Sequence, residues 1–345
     1  MFLRNKLFDW GILPTEKFDI PVISVGNLSL GGTGKTPHVE YLVRLLKDKH
    51  AIATLSRGYG RETRGFVEAD ADSDYKTIGD EPLQYKNKFE NLVVCVDGNR
   101  RRGIKKLLEK HQELDAVILD DAYQHRYVKP GISILLTDFH NLYSENFVVP
   151  TGTLREFRSG SKRADVIFVT KTPSVLSPFT RRRLEDSLKP RKHQQLFFSH
   201  ITYQPMQALP GIESHPPQKK CSAMVLFCGI ANSYPLQEHL KKKCRELIVM
   251  EFPDHHKYDQ NDLKKIIQTF RDVFTTKKIL VTTEKDAMRL IKSDLIEYFK
   301  DYPVFYVPIE IEIHGAEKSL FDKQILEYVE RNQSNGRTSP GQNTQ

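Results

Sequence analysis

Short apolar runs alternate with helix-like stretches along the first half of the chain. The runs have the length and the β-branched composition of buried strands: PVISVG, AIATLS, LVVCVD, AVILDD, ISILLT and ADVIFVTK. Between the first two, the segment HVEYLVRLLK places four apolar residues at helical spacing, namely Val39, Leu42, Val43 and Leu46. This alternation predicts an α/β fold with a doubly wound, mostly parallel sheet and helices on both of its faces.

The alternation is interrupted between residues 172 and 220, where prolines crowd the chain, and it resumes with MVLFCGI, LIVMEF and KKILVTTEKDA. We therefore expect a first domain over 21–171, a linker over 172–220 and a smaller α/β sandwich domain over 221–331. Two alternating runs, LFFSHITY and VFYVPIEIEI, are predicted to pair as a ribbon that joins the halves. The tail, 332–345, lacks large apolar residues and is predicted to be disordered.

The first predicted strand runs into a glycine-rich turn that reads VGNLSLGGTGKT. Its glycines let several backbone N–H groups approach an anion, while Lys35 reaches the outer phosphates and the Thr36 hydroxyl can ligate Mg²⁺. The strict pattern places a glycine five residues before Gly34, where this chain has Ser29. A P-loop NTPase-type domain is predicted, with a phosphate loop formed by Ser29, Leu30, Gly31, Gly32, Thr33, Gly34, Lys35 and Thr36.

The segment AVILDDAYQH delivers two carboxylates, Asp120 and Asp121, to the end of a buried strand. This is the edge of a parallel sheet where ligands gather, and an apolar strand that ends in acid is typical of the metal-side element of a P-loop enzyme. Mg²⁺ takes oxygen ligands from a few carboxylates and from phosphates. Gln124 and His125 follow, and each either makes a structural hydrogen bond or contacts the substrate.

Three further segments carry candidate chemistry. In GDEP a helix is predicted to start at or just after Asp80, and spacing alone favours Asp80 as its N-cap residue. In PTGTLREF, Arg155 and Glu156 either form an exposed ion pair or line a ligand site. In FPDHHKY, His255 lies among consecutive residues of types that can bind a metal ion. Adjacent side chains do not converge on one ion in most backbones, so a charge or proton-transfer role for His255 is favoured over a zinc site.

The net charge of +8 over 345 residues indicates anionic partners: nucleic acid, a phosphorylated substrate or an acidic membrane surface. No run approaches the ~18 apolar residues of a membrane span, and no secretory signal is visible. Four cysteines without metal spacing fit a reducing cytosol. Residues 1–20 form an amphipathic segment with Leu3, Leu7 and Trp10 on one helical face, which either lies on a membrane or packs on the protein.

The chain resembles the tetraacyldisaccharide 4'-kinase family in a set of segments that occur in the order SVGNLSLGGTGKTP, LSRGYGR, GDEP, LDDAYQH, PTGTLRE, FPDHH and VTTEKDA. The resemblance runs from about Leu3 to about Val329. It implies transfer of the ATP γ-phosphate to the 4'-hydroxyl of a tetraacylated disaccharide 1-phosphate, which gives lipid IVA in lipid A (lipopolysaccharide) biosynthesis. It also implies Mg²⁺ and two α/β domains with the active site in the cleft between them. We expect a monomer, peripheral or monotopic at the cytoplasmic face of the bacterial inner membrane, without a nucleic-acid partner.

At the matching positions the resemblance implies that Lys35 holds phosphate and that Asp80 is the base for the sugar hydroxyl proton, assisted by His255. Among the other matched residues, Thr36, Asp120 and Asp121 would bind the metal. Arg100, Arg155 and Glu156 would line the cleft. Family members usually begin with a longer apolar helix. This chain starts almost at the RNKLFDWG-like segment, so we expect either weaker membrane anchoring or a start further upstream.

Two other classes of protein are alternatives. A switch ATPase of the partitioning type, which binds protein partners, has a similar loop that begins with a lysine, where this chain has Leu30. A nucleic-acid-associated NTPase would account for the net charge, but the chain has no basic stripe interleaved with aromatic residues for base stacking. Both alternatives predict ATP hydrolysis that depends on a macromolecular partner rather than transfer to a lipid.

Overall fold

A computed structural model of the protein describes residues 2–214, 216, 220–254, 256–291 and 294–336, with side chains to residue 332. The described residues form two compact units. The first unit takes its residues from Met1–Ile201 and Ile311–Gln345, and the second is Thr202–Glu310. Each unit is built on its own sheet.

Helices and strands alternate along most of the described chain. The helices are α1 (Phe2–Asp9), α2 (Lys35–Leu46), α3 (Tyr75–Ile78), α4 (Asp80–Lys88), α5 (Arg100–Lys110), α6 (Pro178–Leu188), α7 (Tyr234–Lys241), α8 (Gln260–Asp272), α9 (Glu284–Ile291) and α10 (Glu317–Gly336). The strands are β1 (Val22–Asn27), β2 (Ile52–Ser56), β3 (Val67–Glu68), β4 (Val93–Val96), β5 (Ala116–Asp120), β6 (Ile132–Asp138), β7 (Val166–Thr170), β8 (Gln195–Tyr203), β9 (Gln207–Ala208), β10 (Cys221–Cys228), β11 (Cys244–Glu251), β12 (Lys278–Thr283), β13 (Val304–Val307) and β14 (Ile309–Ile313). Short 3-10 helices lie at Arg158–Arg163 and Asp294–Phe299.

The first unit contains a sheet with the strand order β14-β8-β7-β6-β1-β5-β2-β4-β3 in the described part of the chain. Neighbouring strands from β8 to β4 are parallel, and the short β3 is antiparallel to β4. Strands β1, β2, β5 and β7 are buried at every position, as parallel strands covered by helices on both faces must be. The predicted doubly wound α/β fold is confirmed.

The second unit contains a smaller sheet with the order β11-β10-β12-β13-β9 among its described residues. All neighbours are parallel except β9, which is antiparallel to β13. Helix α8 buries an apolar face at helical spacing, formed by Leu263, Ile266, Ile267 and Phe270. A second, smaller α/β unit was predicted from the renewed alternation of strands and helices.

The last helix belongs to the first unit. In α10 the Phe321 ring packs against Phe168 at 5.0 Å and against Phe197 at 5.4 Å between ring centroids, and Tyr41 of α2 donates a hydrogen bond to Asp322 at 2.6 Å. The sequence predicts a second domain that extends to residue 331. In the structure the described residues from Ile311 onward belong instead to the first unit. Helix α10 also continues past Asn332, where the predicted disordered tail begins, and residues 337–345 lie outside the described residues.

The two alternating runs that were predicted to form a ribbon are partly paired. Strand β14 is the neighbour of β8 in the first sheet, and His314 N donates to Phe198 O at 3.1 Å. The VFYV part instead pairs with β12 as β13 of the second sheet, and Pro308, which has no N–H group to donate, separates β13 from β14. All four cysteines are buried and free. Among the described residues, no helix combines the length and the apolar character that a membrane span requires.

Candidate active site

The glycine-rich stretch forms a loop between the end of β1 at Asn27 and the start of α2 at Lys35. Gly31 and Gly34 have φ angles of +97° and +83°, which residues with a side chain rarely adopt. Gly34 directly precedes α2, so Lys35 and Thr36 form the first turn of that helix at its positive end. This is an arrangement in which backbone N–H groups and a helix N-terminus can hold a phosphate.

Three successive carbonyl groups of the loop are held by side chains. The contacts are Lys171 Nζ to Gly32 O at 2.5 Å, Thr170 Oγ1 to Thr33 O at 2.9 Å and His38 Nδ1 to Gly34 O at 2.7 Å. Burial lowers the pKa of His38 to about 4, so the ring is neutral and its Nδ1–H donates to the carbonyl. Across a planar trans peptide the next N–H points away from the C=O, so these contacts also orient the N–H groups of the loop.

The acidic pair lies beside this loop. Strand β5 is hydrogen-bonded to β1 with Asp120 opposite Val25, so both strands end at the same edge. Asp120 is 4% exposed, its Oδ2 accepts a hydrogen bond from Tyr85 at 3.0 Å, and its Oδ1 is buried without a hydrogen-bond partner among the described residues. Burial, followed by repulsion from Asp121, raises the pKa of Asp120 to about 7. The buried Oδ1 therefore has room in its coordination for a cation.

Asp121 has two cationic neighbours. Its Oδ1 lies 3.6 Å from Lys35 Nζ, and Arg155 donates to both of its carboxylate oxygens at 3.1 Å. Burial works to raise the pKa of Asp121, but the attraction of Lys35 and Arg155 outweighs it and the net direction is downward. The two adjacent carboxylates thus have opposite pKa shifts: Asp121 is ionised at neutral pH, whereas Asp120 is only partly ionised there.

The segment PTGTLRE lies against the phosphate loop. Leu30 N donates to Thr153 O at 2.6 Å, and Arg155 N donates to Leu28 O at 2.6 Å. This backbone pairing carries the Arg155 side chain to Asp121. Of the two alternatives for Arg155, the exposed ion pair with its neighbour Glu156 is therefore not the one found.

Glu156 is buried and joins three parts of the first unit. Its Oε1 accepts hydrogen bonds from Arg163 at 2.8 Å and from Gln124 at 3.1 Å, and its Oε2 accepts one from Asn5 of α1 at 2.6 Å. Gln124 also donates to the backbone oxygen of Asn27 at the end of β1, at 2.7 Å. Both side chains thus make structural hydrogen bonds next to the phosphate loop.

Arg100 lies beside the acidic pair, and His125 lies close to Arg100. Arg100 is buried and donates to the backbone oxygens of Asp97 at 3.0 Å and Asp120 at 3.2 Å, and burial lowers its pKa to about 10. Burial, followed by repulsion from Arg100, lowers the pKa of His125 to about 4. His125 lines a cavity of about 320 Å³ together with Pro14, Gly98, Asn99, Arg101 and Tyr127.

Asp80 is the first residue of α4. The residue before this helix is Gly79, with a φ angle of +95° and no side-chain cap, so the interpretation of Asp80 as the N-cap is wrong. A Cβ atom on Gly79 would lie 2.9 Å from Tyr59 O, so only glycine lets GDEP pass this closely to the SRGYGR loop. Pro82 is in the first turn of α4, as predicted.

The segment FPDHH is in the second unit and is described except for His255, so the candidate proton role of His255 lies outside the described residues. The neighbouring His256 has its Nε2 atom 2.7 Å from Asp262 Oδ2. Among the side chains that the structure describes, no group of three or more His, Cys, Asp and Glu residues is arranged to hold a metal ion.

Several residues at this edge were not identified from the sequence. Thr170 and Lys171 end the buried run ADVIFVTK, and polar residues at the end of a parallel strand are the signal that identified Asp120. Tyr85 had no such signal, because an aromatic residue at helical spacing reads as a core residue, and it is indeed fully buried.

Comparisons with known proteins agree on one family. A family model described as tetraacyldisaccharide-1-P 4'-kinase matches residues 1–330. Curated proteins named tetraacyldisaccharide 4'-kinase include one from Parabacteroides distasonis, which is 42% identical in an alignment of 337 residues that covers 95% of this chain and 90% of that protein. Another, from Flavobacterium johnsoniae, is 43% identical and covers 96% of this chain and 93% of its own length. A crystal structure of the "apo" form of LpxK from Aquifex aeolicus in complex with ATP is similar with a TM-score of 0.70 and 27% identity, over 95% of this chain and 94% of that chain.

Proposed function

Because the chain belongs to the tetraacyldisaccharide 4'-kinase family, we propose that it transfers the γ-phosphate of ATP to the 4'-hydroxyl of tetraacyldisaccharide 1-phosphate, giving lipid IVA. It is a kinase of lipid A biosynthesis, and a partitioning-type switch ATPase is not favoured. The observation that carries the proposal is the meeting of a glycine-rich loop and two carboxylates at the ends of paired strands β1 and β5. Phosphoryl transfer needs little more than such positioning and charge neutralisation.

The triphosphate of ATP is placed in the phosphate loop, residues 29–36. The oriented N–H groups and the N-terminus of α2 hold its oxygens, and Lys35 approaches the outer phosphates. Lys35 lies 3.6 Å from Asp121 in the present structure, so it needs to move little to contact a phosphate at the same edge.

Mg²⁺ is proposed to bind between the nucleotide and the acidic pair. Asp120 and Asp121 with the hydroxyl of Thr36 provide the oxygen ligands that this ion prefers, and the buried, unpartnered Oδ1 of Asp120 fits a cation. When bound, Mg²⁺ supplies charge neutralisation at the β- and γ-phosphates. Few protein ligands are needed, because phosphates and water complete the shell of this ion.

Asp80 is proposed as the general base. Its carboxylate would accept the proton of the 4'-hydroxyl as that oxygen attacks the γ-phosphorus, and the β-phosphate of ADP is the leaving group. His255 is proposed to assist Asp80. Arg155 is proposed to stabilise the charge that develops on the transferred phosphoryl group, since it lies beside Asp121 at the loop.

The remaining candidate residues are proposed to shape the site. Arg100 and Glu156 hold the backbone and side chains around the acidic pair, and Gln124 joins Glu156 to the end of β1. His125, neutral because of its lowered pKa, is proposed to contact the acceptor from the cavity that it lines.

Helix α1 is proposed to place the enzyme on the cytoplasmic face of the inner membrane as a peripheral or monotopic monomer. The helix is attached through buried Phe8, which packs on Tyr127, and through Asn5. Four large apolar residues of this helix and of the segment that follows it are exposed: Phe2, Leu3, Trp10 and Ile12. A helix held on one side with apolar side chains on the other can lie in a membrane interface.

The direct test is the transfer of radiolabel from γ-labelled ATP to tetraacyldisaccharide 1-phosphate by the purified chain. We expect a labelled lipid product that requires Mg²⁺ and is lost in Lys35→Ala. ATP hydrolysis without lipid labelling, stimulated by an added protein partner or nucleic acid, would instead identify a switch ATPase.

A further inference from the structure

Helix α2 buries a carboxylate shortly after the phosphate loop. Glu40 is 0% exposed, and its principal partners come from α4. Gln84 Nε2 donates to Glu40 Oε1 at 2.7 Å, and Lys88 Nζ donates to Glu40 Oε2 at 2.8 Å. Arg44, one turn further along α2, lies 3.5 Å from the same Oε2. The buried carboxylate therefore ties the helix that follows the phosphate loop to α4.

The spacing of these residues connects them to the site. Residues four apart lie on the same face of an α-helix, one turn from each other. Glu40 is four residues after Thr36, which is in the first turn of α2, and Gln84 is four residues after Asp80, which begins α4. The contact between Glu40 and Gln84 thus lies one helical turn from Thr36 and Asp80, to which the proposed function gives roles at the nucleotide and at the acceptor.

A buried ion pair of this kind adds little net stability, because removing the charges from water offsets their attraction. Its main physical effect is to fix geometry, since any displacement of α4 would take two donors, Gln84 and Lys88, away from the buried carboxylate. Tyr85, on the adjacent position of α4, donates to Asp120 and holds the same helix at a second point.

We propose that Glu40 is a positioning residue, which fixes α4 against α2 and so sets the place of Asp80 relative to the phosphate loop. The proposal rests on the proposed function, in which Asp80 is the general base. Glu40 itself contacts neither substrate and acts through α4.

The test compares variants of the full chain in steady-state transfer from ATP to tetraacyldisaccharide 1-phosphate. Glu40→Gln keeps the shape but removes the charge, and we expect kcat to fall roughly 10- to 100-fold with little change in the KM for ATP, because small displacements of a reacting group carry costs of this order. The exchange variant Glu40→Gln with Gln84→Glu restores a carboxylate and amide contact and places Glu four residues before Lys88, so it should recover most of kcat.

A matched control is Tyr41→Phe, next to Glu40 on α2. It removes the hydrogen bond to Asp322 of α10 and leaves the contacts of Glu40 with Gln84 and Lys88 in place, so kcat should stay near that of the parent. If Glu40→Gln does not fold, Lys88→Met removes the charged partner from a partly exposed position and should lower kcat in the same direction.

Combination with Asp80→Asn separates the two hypotheses. If Glu40 acts through Asp80, Glu40→Gln should add little further loss in the Asp80→Asn background, and a fully additive loss would reject the positioning role. The role is also rejected if Glu40→Gln raises the KM for ATP without lowering kcat, or turns over normally while Asp80→Asn is slow. Near-normal turnover of Asp80→Asn would reject the base itself.

Discussion

Substitution of Asp120 by asparagine should abolish Mg²⁺-dependent transfer and yet stabilise the ligand-free protein at neutral pH. The pKa of Asp120 rises from 3.8 to about 7, mainly because the carboxyl is buried. Asparagine keeps the shape and can still accept the hydrogen bond from Tyr85. It removes only the charge that the folded protein solvates poorly in the absence of a metal ion.

The sign and the size of the effect follow from proton linkage. A carboxyl with a raised folded-state pKa binds more protons in the folded state, so the free energy of unfolding decreases as the pH rises between the unfolded and folded pKa values. For a rise from 3.8 to about 7, at ~1.36 kcal/mol per pKa unit, this loss approaches ~4 kcal/mol above pH 7. The neutral asparagine variant does not suffer it.

The assay is urea unfolding of both proteins in EDTA at several pH values. The stability advantage of Asp120→Asn should be near zero at about pH 4 and should grow up to about pH 7. Asp121→Asn is the matched control with the opposite sign: the pKa of Asp121 is lowered, so its ionised form stabilises the fold above its unfolded pKa, and the variant should be less stable at neutral pH. If Asp120→Asn is less stable than the parent, or if the difference does not depend on pH, burial of the Asp120 charge does not destabilise the fold.

Three further outcomes are expected. Asp80→Asn should lower kcat by roughly 10²-fold or more with little change in ATP affinity, and near-normal turnover would exclude it as the base. Lys171→Met should raise the KM for ATP by roughly tenfold with kcat largely retained, because one charged hydrogen bond that orients the phosphate loop is lost; an unchanged KM would show that the loop does not need it. Replacement of Phe2 and Leu3 of α1, and of Trp10 directly after it, by serine should move the enzyme from the membrane to the soluble fraction without lowering activity on detergent-dispersed substrate. An unaltered distribution would place the anchor elsewhere.

Much of the candidate site was accessible from local patterns. The loop before Lys35 is recognisable because few residue types allow the backbone angles seen at Gly31 and Gly34. Asp120 was identified because parallel strands bring their carboxyl ends to one edge, and β5 is in fact the neighbour of β1. Both inferences need only the order of residues within a single strand and the turn that follows it.

The partners of these residues were not accessible in this way. Spacing favoured Asp80 as a helix cap and left Arg155 between an exposed ion pair and a ligand site, whereas the structure places Asp80 inside the first turn of α4 and Arg155 on Asp121. The position of Arg155 depends on a contact between segments that are distant in sequence, and such contacts depend on which strands become neighbours. The cap of α4 is instead a local feature, in which Gly79 takes the position before the helix.

The α/β class, the phosphate loop and the acidic strand end follow from short stretches of sequence, because periodicity and glycine backbone freedom are properties of a few consecutive residues. The return of α10 to the first sheet, the link from Glu156 to α1 and the contact of Glu40 with α4 arise only in the folded chain. The packing of remote elements sets which apolar surface a helix covers and which donor comes within hydrogen-bond distance of a buried polar side chain.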